Sequence, residues 1–406
     1  MTSHVEAPEQ RRILAVLVIA QMLSGAGLAA GVTVGALLAQ QMFGSAGWAG
    51  LPGAFITVGS ATAAILIGNL SQASGRRHGL VLGYTGGAIG AFGVVLAAVT
   101  GSAVLFFASF AVYGAGTAAN LQARYAGADL AEPSRKGRAI STVLVATTFG
   151  AVAGPNLVSV MGAFAGRIGL PELSGPFLLS GAAYGLGAVV LAVALRPDPL
   201  LRSRELSLGH DATDTVAATS RAGLRTGAIV MASAQLIMVA IMTMTPIYLR
   251  DHHHGLGTAG FVIGLHIAAM YLPSPLSGYL VDRWGAQRLA YLGAVVLTAA
   301  GLVAALAPPS SVAGIALALV LLGLGWNLGL IAGTTMVAQS TPPDVRARIQ
   351  GRLDMVIAIS GAGAAFGSGP IVANVGYTVL SAAGAVVAVL SALAITSRGA
   401  LQNLRA

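Results

Sequence analysis

Long apolar stretches, separated by short polar or charged breaks, recur along the whole chain. Roughly 20 apolar residues form a helix that crosses the hydrocarbon core of a bilayer, so each stretch of this length predicts one membrane span. Twelve occur, none with the two-residue alternation of a β-barrel strand. The predicted spans are residues 13–43, 49–70, 79–99, 102–124, 140–163, 176–195, 226–249, 259–281, 289–308, 311–338, 353–372 and 377–396. The pattern predicts an all-α membrane protein whose first helix is retained rather than cleaved as a signal peptide.

The basic residues are distributed unevenly between the two sides of this topology. Of 22 Lys and Arg residues, 20 lie at the termini or in loops that follow even-numbered spans, and only Arg167 and Arg250 lie in the other loops. Basic loops stay in the cytoplasm, so both termini are predicted to be cytoplasmic, in a bacterial cytoplasmic membrane. The net charge of +9 therefore reports topology, and no nucleic-acid partner is predicted.

Composition excludes several classes of protein. Charged residues make up 9% of the chain, against about 25% in soluble domains, and mean hydropathy is +0.81. With no cysteine, the chain has no disulfide and no thiolate metal site. The membrane segments contain no plausible nucleophile–base pair or carboxylate dyad, so neither an enzyme nor a resident cofactor is predicted.

The chain also contains an internal repeat. Residues 68–83, after the second span, align without gaps with residues 278–293, after the eighth span. The one long hydrophilic segment, 197–225, is predicted to be a cytoplasmic linker between six-helix halves at 1–196 and 226–406. Duplicated halves that rock against each other around a central substrate site are a transporter architecture.

The repeated loop resembles the loop motif of the major facilitator superfamily, which implies the twelve-helix fold of that family. In the second half the motif is complete, as Gly278, Leu280, Asp282, Arg283, Gly285 and Arg288. The first half retains Gly68, Leu70, Gly75, Arg76 and Arg77, with Gln72 in the place of the aspartate. In span 5, Gly150, Gly154 and Pro155 resemble half of a signature of the drug/proton antiporters.

The resemblance implies that these residues act in gating. Glycines allow a tight turn between helices, and an aspartate at a helix end holds a cationic partner while the cytoplasmic side is closed. Replacement of that aspartate by Gln72 is expected to weaken the closure in the first half. For Gly150-x-x-x-Gly154 taken alone, close helix packing is the better explanation.

Ionisable residues are nearly absent from the predicted spans. All 13 acidic residues fall in loops, tails or the cytoplasmic start of a span, and His266 is the titratable side chain placed well inside one. Ionisable groups within a bilayer normally indicate a functional site. Their scarcity argues against organic-anion transport and against proton antiport of cationic drugs.

Methionines cluster around His266. On span 7, Met231, Gln235, Met238 and Met242 share one helix face, and on span 8 His266 and Met270 are four residues apart. Thioether and neutral imidazole groups suit Cu(I). The same pattern is also explained by deformable packing and by one interhelical hydrogen bond.

Met238-x-x-x-Met242 and His266-x-x-x-Met270 resemble the paired motifs of the CcoA-type copper importers, a bacterial branch of the superfamily. The resemblance implies inward copper transport through a relay of Met238, Met242, His266 and Met270. Other members of that branch are associated with riboflavin uptake. Copper as substrate and a neutral or aromatic organic molecule, taken up like riboflavin or exported like a drug, are therefore both open.

Two further polar features are accessory candidates. His252, His253 and His254 follow Asp251 in an extracytoplasmic loop, which is either a metal-collecting site or a polar interfacial loop. Asn327, beside Trp326 in span 10, is either a substrate contact or an interhelical hydrogen bond. The expected partners are the lipid bilayer and one small-molecule or metal-ion substrate, bound by a monomer.

Overall fold

A computed structural model describes residues 7–44, 50–208, 220–254 and 256–403. Among these residues the regular elements are helices, and no strand occurs. They are α1 (Ala7–Phe43), α2 (Leu51–Ser74), α3 (Arg76–Thr100), α4 (Ala103–Ala128), α5 (Lys136–Asn156), α6 (Val158–Arg167), α7 (Gly175–Ala194), α8 (Pro199–Leu208), α9 (Arg221–Asp251), α10 (Leu256–Tyr271), α11 (Ser274–Trp284), α12 (Ala286–Leu306), α13 (Val312–Ser340) and α14 (Pro343–Asn403). The predicted all-α fold is confirmed.

Within the described residues, ten helical stretches are long and apolar enough to cross a membrane. One of them, Pro343–Ile395 in α14, contains the last two predicted spans, because the backbone leaves the helical conformation at Gly376, where φ is 87°. The predicted span 140–163 corresponds to α5 and α6, which are separated at Leu157. The helices thus account for all twelve predicted spans.

The outer surfaces of the helices are apolar. Val104, Val193 and Leu306 are large aliphatic side chains that are each between 68% and 83% exposed. Such continuous exposure is unfavourable in water but suits a hydrocarbon solvent, in which the backbone bonds are satisfied within each helix.

The chain forms two compact units. Unit 1 consists of Met1–Ala131, Thr142–Val216 and Pro342–Ala358, and unit 2 consists of Glu132–Ser141, Ala217–Thr341 and Ile359–Ala406. The first turns of α14 therefore belong to unit 1, and the first turn of α5 belongs to unit 2. The predicted division into halves 1–196 and 226–406 stays a prediction.

In unit 1, α4 packs against α2 and α3, while α7 packs against α1 and α3. Aromatic rings fill this core, with Phe110 in edge contact with Phe106 at 4.8 Å and with Phe177 at 5.5 Å between ring centroids. Such pairs stabilise a core by about 0.5–1.5 kcal/mol beyond their buried area.

Unit 2 is built around α13. This helix packs against α9, α10, α11 and α12, and nearly all of its residues from 322 to 338 are buried. Side chains from four helices therefore meet at α13. The candidate site of unit 2 is formed along this buried helix.

Candidate functional site

An amide and two aromatic rings meet inside unit 2. The Oε1 atom of Gln235, half-buried on α9, accepts a hydrogen bond of 2.8 Å from Nε1 of Trp326 on α13. Tyr271, at the end of α10, lies edge-on to the Trp326 ring at 5.8 Å between centroids. On α14, a Cβ added at Gly361 would lie only 3.1 Å from Nε2 of Gln235. Four helices thus form a polar and aromatic cluster around Gln235.

This Gln235 cluster lies in electrically neutral surroundings. Helix α13 contains no Asp, Glu, Lys, Arg or His, and the charged residues of α9 lie within its first five and last two residues. A cluster of an amide, an indole and a phenol offers hydrogen bonds and ring faces but no charge. The chemistry therefore favours a neutral ligand with an aromatic face.

The four residues of the predicted copper relay lie on two helices that both pack against α13. On α9, Met238 is buried and Met242 is half-buried; on α10, His266 and Met270 are buried. The Nδ1 atom of His266 is 2.8 Å from the carbonyl oxygen of Leu319. Because a carbonyl only accepts, Nδ1 carries the proton and Nε2 is left as an acceptor or ligand.

The Nε2 atom of His266 is buried and has no hydrogen-bond partner among the described residues. The polar contacts of this region are made with α13. His266 on α10 contacts the Leu319 carbonyl, and the sulfur of Met231 on α9 lies 3.6 Å from Oγ1 of Thr334. Convergence of the methionines and His266 on one ion stays a prediction.

Asn327 forms hydrogen bonds on both sides of the interruption between α10 and α11. Its Nδ2 donates to the carbonyl oxygen of Met270 at 2.7 Å and to Oγ of Ser274 at 2.8 Å. Its Oδ1 accepts from Oγ of Ser277 at 2.6 Å. These three bonds hold the end of one helix and the start of the next, so Asn327 makes interhelical hydrogen bonds at this position.

Of the three consecutive histidines, the first and the last make separate hydrogen-bond contacts. His252 lies 2.8 Å from the carbonyl oxygen of Tyr248, and His254 lies 2.9 Å from that of Pro309. His253 is exposed and has a positive φ of 62°. In the part of the chain that the structure describes, no three His, Asp or Glu side chains are arranged to hold a metal ion. The metal-collecting role of this loop stays a prediction.

The complete loop motif of the second half joins α11 to the first turn of α5. The side chain of Asp282 is only 4% exposed, and its oxygens accept from the backbone N–H of Gly137 at 2.7 Å and of Arg138 at 3.0 Å. Gly278 faces the same turn, where an added Cβ would collide with Ser141 and with the Gly137 carbonyl. A carboxylate placed on free N–H groups at a helix start is stabilising.

The other residues of this motif lie on the surface or in the turn. Gly285 links α11 to α12 with a φ of 88°, a conformation that favours glycine. Arg283 is exposed and donates to the hydroxyl of Tyr279 at 2.8 Å, and Arg288 is also exposed.

In the first half, Gln72 makes the corresponding contact with the start of α14. Its Oε1 accepts from the N–H groups of Ala347 at 2.8 Å and Arg348 at 3.3 Å. Its Nε2 donates to the carbonyl oxygens of Pro343 at 3.2 Å and Asp344 at 2.5 Å. The amide thus gains two acceptors that an aspartate could not use, so loss of the aspartate leaves a fully bonded contact.

Glycines surround this contact as well. Gly68 lies against Gly351, where an added Cβ would approach the Gly351 Cα to 2.9 Å, as Gly278 lies against Gly137 in the other repeat. Gly75 turns the chain between α2 and α3 with a φ of 96°, and the N–H of Arg77 donates to Oδ2 of Asp198 at 2.8 Å. The repeated motif is therefore a repeated helix junction.

The span-5 glycines are only partly described. A Cβ at Gly150 would collide with the backbone of α1, so this glycine permits close packing of α5 on α1. Gly154 and Pro155 lie in the final turns of α5, and their side-chain surroundings are outside the described residues.

A buried ionic cluster in unit 1 was missed by sequence reasoning. Arg124 pairs with Asp354 at 2.7 Å, with both side chains at most 1% exposed. Arg76 pairs with Asp129 at 2.7 Å, and Arg346 lies 3.4 Å from the same carboxylate. The expectation that Arg76 and Arg124 are loop residues was wrong; Asp129 does follow the end of α4, as expected, but it is buried. Arg76 and Arg124 lie inside helices, and all three side chains are enclosed where α3, α4 and α14 meet.

One signal in the sequence points to this cluster. Arg124 directly continues an apolar span, with no Gly or Pro between them, and Asp354 lies at the start of another span. Both charges therefore lie at the ends of membrane helices, and their charges are opposite. Buried charges require such partners. Pairing across 230 residues is not visible in the local pattern.

Three features occur together: long apolar helices, a helix junction that is repeated in the chain, and an uncharged cluster inside unit 2. Together they indicate a multi-pass membrane transport protein. Residues 13–365 and 227–400 match the pattern of the Major Facilitator Superfamily. The chain belongs to this superfamily; it is a transporter and not an enzyme.

Relatives of known sequence and structure agree with this assignment. The uncharacterized MFS-type transporter YddS of Bacillus subtilis (strain 168) is 50% identical over 96% of this chain and 92% of its own. The riboflavin transporter RfnT of Brucella anthropi is 30% identical over 93% of each chain. The crystal structure of the human organic anion transporter MFSD10 shares the fold, with a TM-score of 0.77 and 16% identity over 95% of this chain and 99% of that one.

Proposed function

We propose that this protein carries a neutral aromatic organic molecule of the flavin class across the bacterial cytoplasmic membrane, with both termini in the cytoplasm. The observation that carries the proposal is the hydrogen bond between Gln235 and Trp326, in neutral surroundings on the buried helix α13. Rocking of halves 1–196 and 226–406 would expose such a ligand to each side in turn.

The chemistry of the cluster fits a flavin-type ring system. Such a ring presents a flat aromatic face together with an edge of amide-like donors and acceptors. Trp326 and Tyr271 supply ring faces, while the bond from Trp326 Nε1 fixes the orientation of the Gln235 amide. Aromatic contacts are worth about 0.5–1.5 kcal/mol each. A ligand whose polar edge cannot bond to the Gln235 amide leaves a buried polar group unpaired, which costs about 1–3 kcal/mol of binding free energy. The amide therefore provides selectivity for ligands with a matching polar edge.

The 30% identity with the riboflavin transporter RfnT over nearly the whole chain supports this substrate class. The neutral surroundings support it too, because a charged substrate would require a buried counter-charge.

The experiment is riboflavin counterflow in proteoliposomes that contain the purified full-length protein. Counterflow does not depend on the physiological direction or on a coupling ion. Trp326→Phe and Gln235→Leu each remove the same hydrogen bond and should each lower apparent affinity about tenfold, the equivalent of about 1.4 kcal/mol. Trp284→Phe and Gln339→Leu alter exposed residues of the same types and serve as matched controls.

Wild-type counterflow of riboflavin that is unaffected by either cluster variant would overturn the assignment of the site. Absence of counterflow with riboflavin and with other neutral aromatic compounds would overturn the substrate class.

Copper import is the second candidate, favoured by the buried Nε2 atom of His266, which has no hydrogen-bond partner among the described residues. A neutral imidazole with its proton on Nδ1 is the form that binds a soft metal ion. The sequence resemblance of Met238, Met242, His266 and Met270 to the motifs of CcoA-type importers supports the same role. Inward movement of a cation would be driven by the membrane potential, worth about 2.3 kcal/mol per charge per 100 mV.

The test is copper accumulation in cells that depend on this protein for copper. Met238→Leu keeps the volume of the side chain and removes the thioether, while His266→Asn keeps a donor for the Leu319 carbonyl and removes the ligand atom. Both should abolish copper accumulation without changing riboflavin counterflow. Unchanged accumulation in both variants would exclude the relay.

A further inference from the structure

Two buried hydrogen-bond donors in unit 1 have no acceptor within residues 7–44, 50–208, 220–254 and 256–403. Arg76 is 1% exposed and Gln350 is fully buried, yet Nη1 of Arg76 and Nε2 of Gln350 have no partner among the described residues. They belong to one bonded pair, because Nη2 of Arg76 donates to Oε1 of Gln350. That bond fixes the orientation of the amide, so Nε2 cannot exchange places with Oε1 without setting two donors against each other.

The charge of Arg76 is only partly compensated. Nε and Nη2 of its guanidinium group face Asp129 at 2.7 and 3.4 Å. Arg346 approaches the same carboxylate at 3.4 Å, so the single negative charge of Asp129 is shared by two cations. The guanidinium also lies over the Tyr125 ring, at 6.0 Å from its centroid, but Nη1 is an enclosed charged donor with no hydrogen-bond acceptor in the part of the chain that the structure describes. Such an arrangement costs several kcal/mol unless a partner is supplied.

We propose that this place binds a small monovalent anion of the chloride type, held by Nη1 of Arg76 and Nε2 of Gln350. An anion satisfies both donors and supplies the second negative charge, whereas a water molecule would satisfy the donors alone. The burial of both donor atoms favours a small ion over a lipid headgroup or an organic carboxylate. The bound ion joins α3, which carries Arg76, to the first turns of α14, which carry Gln350.

An anion bound here stabilises the folded protein in proportion to its occupancy. The full-length protein in detergent is melted in sodium gluconate and in sodium chloride at constant ionic strength, which holds general screening fixed. Chloride should raise the unfolding midpoint by about 2 °C at tenfold excess over its dissociation constant, and the midpoint should keep rising with the logarithm of concentration.

Gln350→Glu tests the site directly, because the new carboxylate supplies the missing charge within the protein. We expect this variant to melt in gluconate at least as high as the wild type does in chloride and to lose its chloride dependence. Gln350→Met removes the donor without adding charge and should weaken the response to chloride at least fivefold. Arg352→Gln, which removes an exposed cation from the same helix, should respond to chloride like the wild type.

A wild-type midpoint that is equal in chloride and gluconate would overturn the proposal and assign the donors to water. An undiminished chloride response in Gln350→Met would place any anion elsewhere. Both results are obtained even if Gln350→Glu does not fold.

Discussion

The carboxylate of Asp282, on α11, accepts a hydrogen bond of 2.7 Å from the backbone N–H of Gly137 in the first turn of α5. The two residues are 145 positions apart in the chain. The N–H groups at a helix start have no partner within the helix and carry a partial positive charge, so a carboxylate there is stabilised by both effects. Asp282 therefore acts as a helix cap supplied from another helix.

Replacement of Asp282 by Ala should lower the free energy of unfolding by about 1 kcal/mol, the usual cost of losing a capping side chain. Asp282→Asn retains an acceptor oxygen and should lose less than half of that amount. The measurement is the thermal unfolding midpoint of the purified protein. Equal midpoints for wild type and Asp282→Ala would show that the cap does not contribute to stability.

Gln72→Glu should destabilise the junction in the first repeat. The substitution keeps the acceptor for Ala347 but places a carboxylate oxygen against the carbonyl oxygens of Pro343 and Asp344, which Nε2 now donates to. Loss of the two hydrogen bonds to these partly buried carbonyl groups should cost about 1–3 kcal/mol. Denaturant unfolding compares Gln72→Glu with Gln72→Met, which loses all four hydrogen bonds of the amide without adding charge. A glutamate variant as stable as the wild type would contradict the bonding pattern.

The buried pair of Arg124 and Asp354 should show strong coupling in a double-mutant cycle. Arg124→Met or Asp354→Leu alone leaves one enclosed charge uncompensated and should cost about 3–5 kcal/mol. The double variant, with neither charge, should recover most of that loss. The exposed pair of Arg135 and Glu132 is the control and should show no measurable coupling. Additive effects at Arg124 and Asp354 would be inconsistent with a direct buried ion pair.

Asn327→Leu should loosen the connection between α10 and α11, because it removes three hydrogen bonds and leaves the Met270 carbonyl without its amide donor. The expected loss is about 2–4 kcal/mol in unfolding free energy. Asn374→Leu, at an exposed asparagine with one local bond, should change it by less than about 0.5 kcal/mol. Hydrogen exchange should also accelerate at the end of α10. Unchanged exchange and stability in Asn327→Leu would show that these bonds are dispensable.

Hydrophobic pattern alone was sufficient to predict the membrane spans, because burial in lipid requires a continuous apolar helix. It did not predict every interruption of a helix. The break at Gly376 falls between the predicted spans 353–372 and 377–396, but the break at Leu157, just after Pro155, lies inside the predicted span 140–163. Such interruptions depend on the neighbours of the helix, which the local pattern does not contain.

The candidate site was predicted only in part, for a similar reason. Gln235 was included because it shares a helix face with methionines, but its partner Trp326 lies 91 residues away. Charges were assigned to loops because each lay beside an apolar run, although Arg124 and Asp129 are enclosed by distant helices. Residue type and periodicity predict which face of a helix is buried, but they do not identify the residue it meets.

The two junctions of the repeat have the same architecture but different chemistry, since Asp282 is a carboxylate and Gln72 an amide. A carboxylate can take up a proton and an amide cannot. Sufficient acidification would therefore weaken the bonds that Asp282 accepts, while the bonds of the Gln72 amide do not depend on a proton. Internal duplication has thus produced two equivalent helix contacts, of which one is made by a side chain that can be protonated and the other by a side chain that cannot.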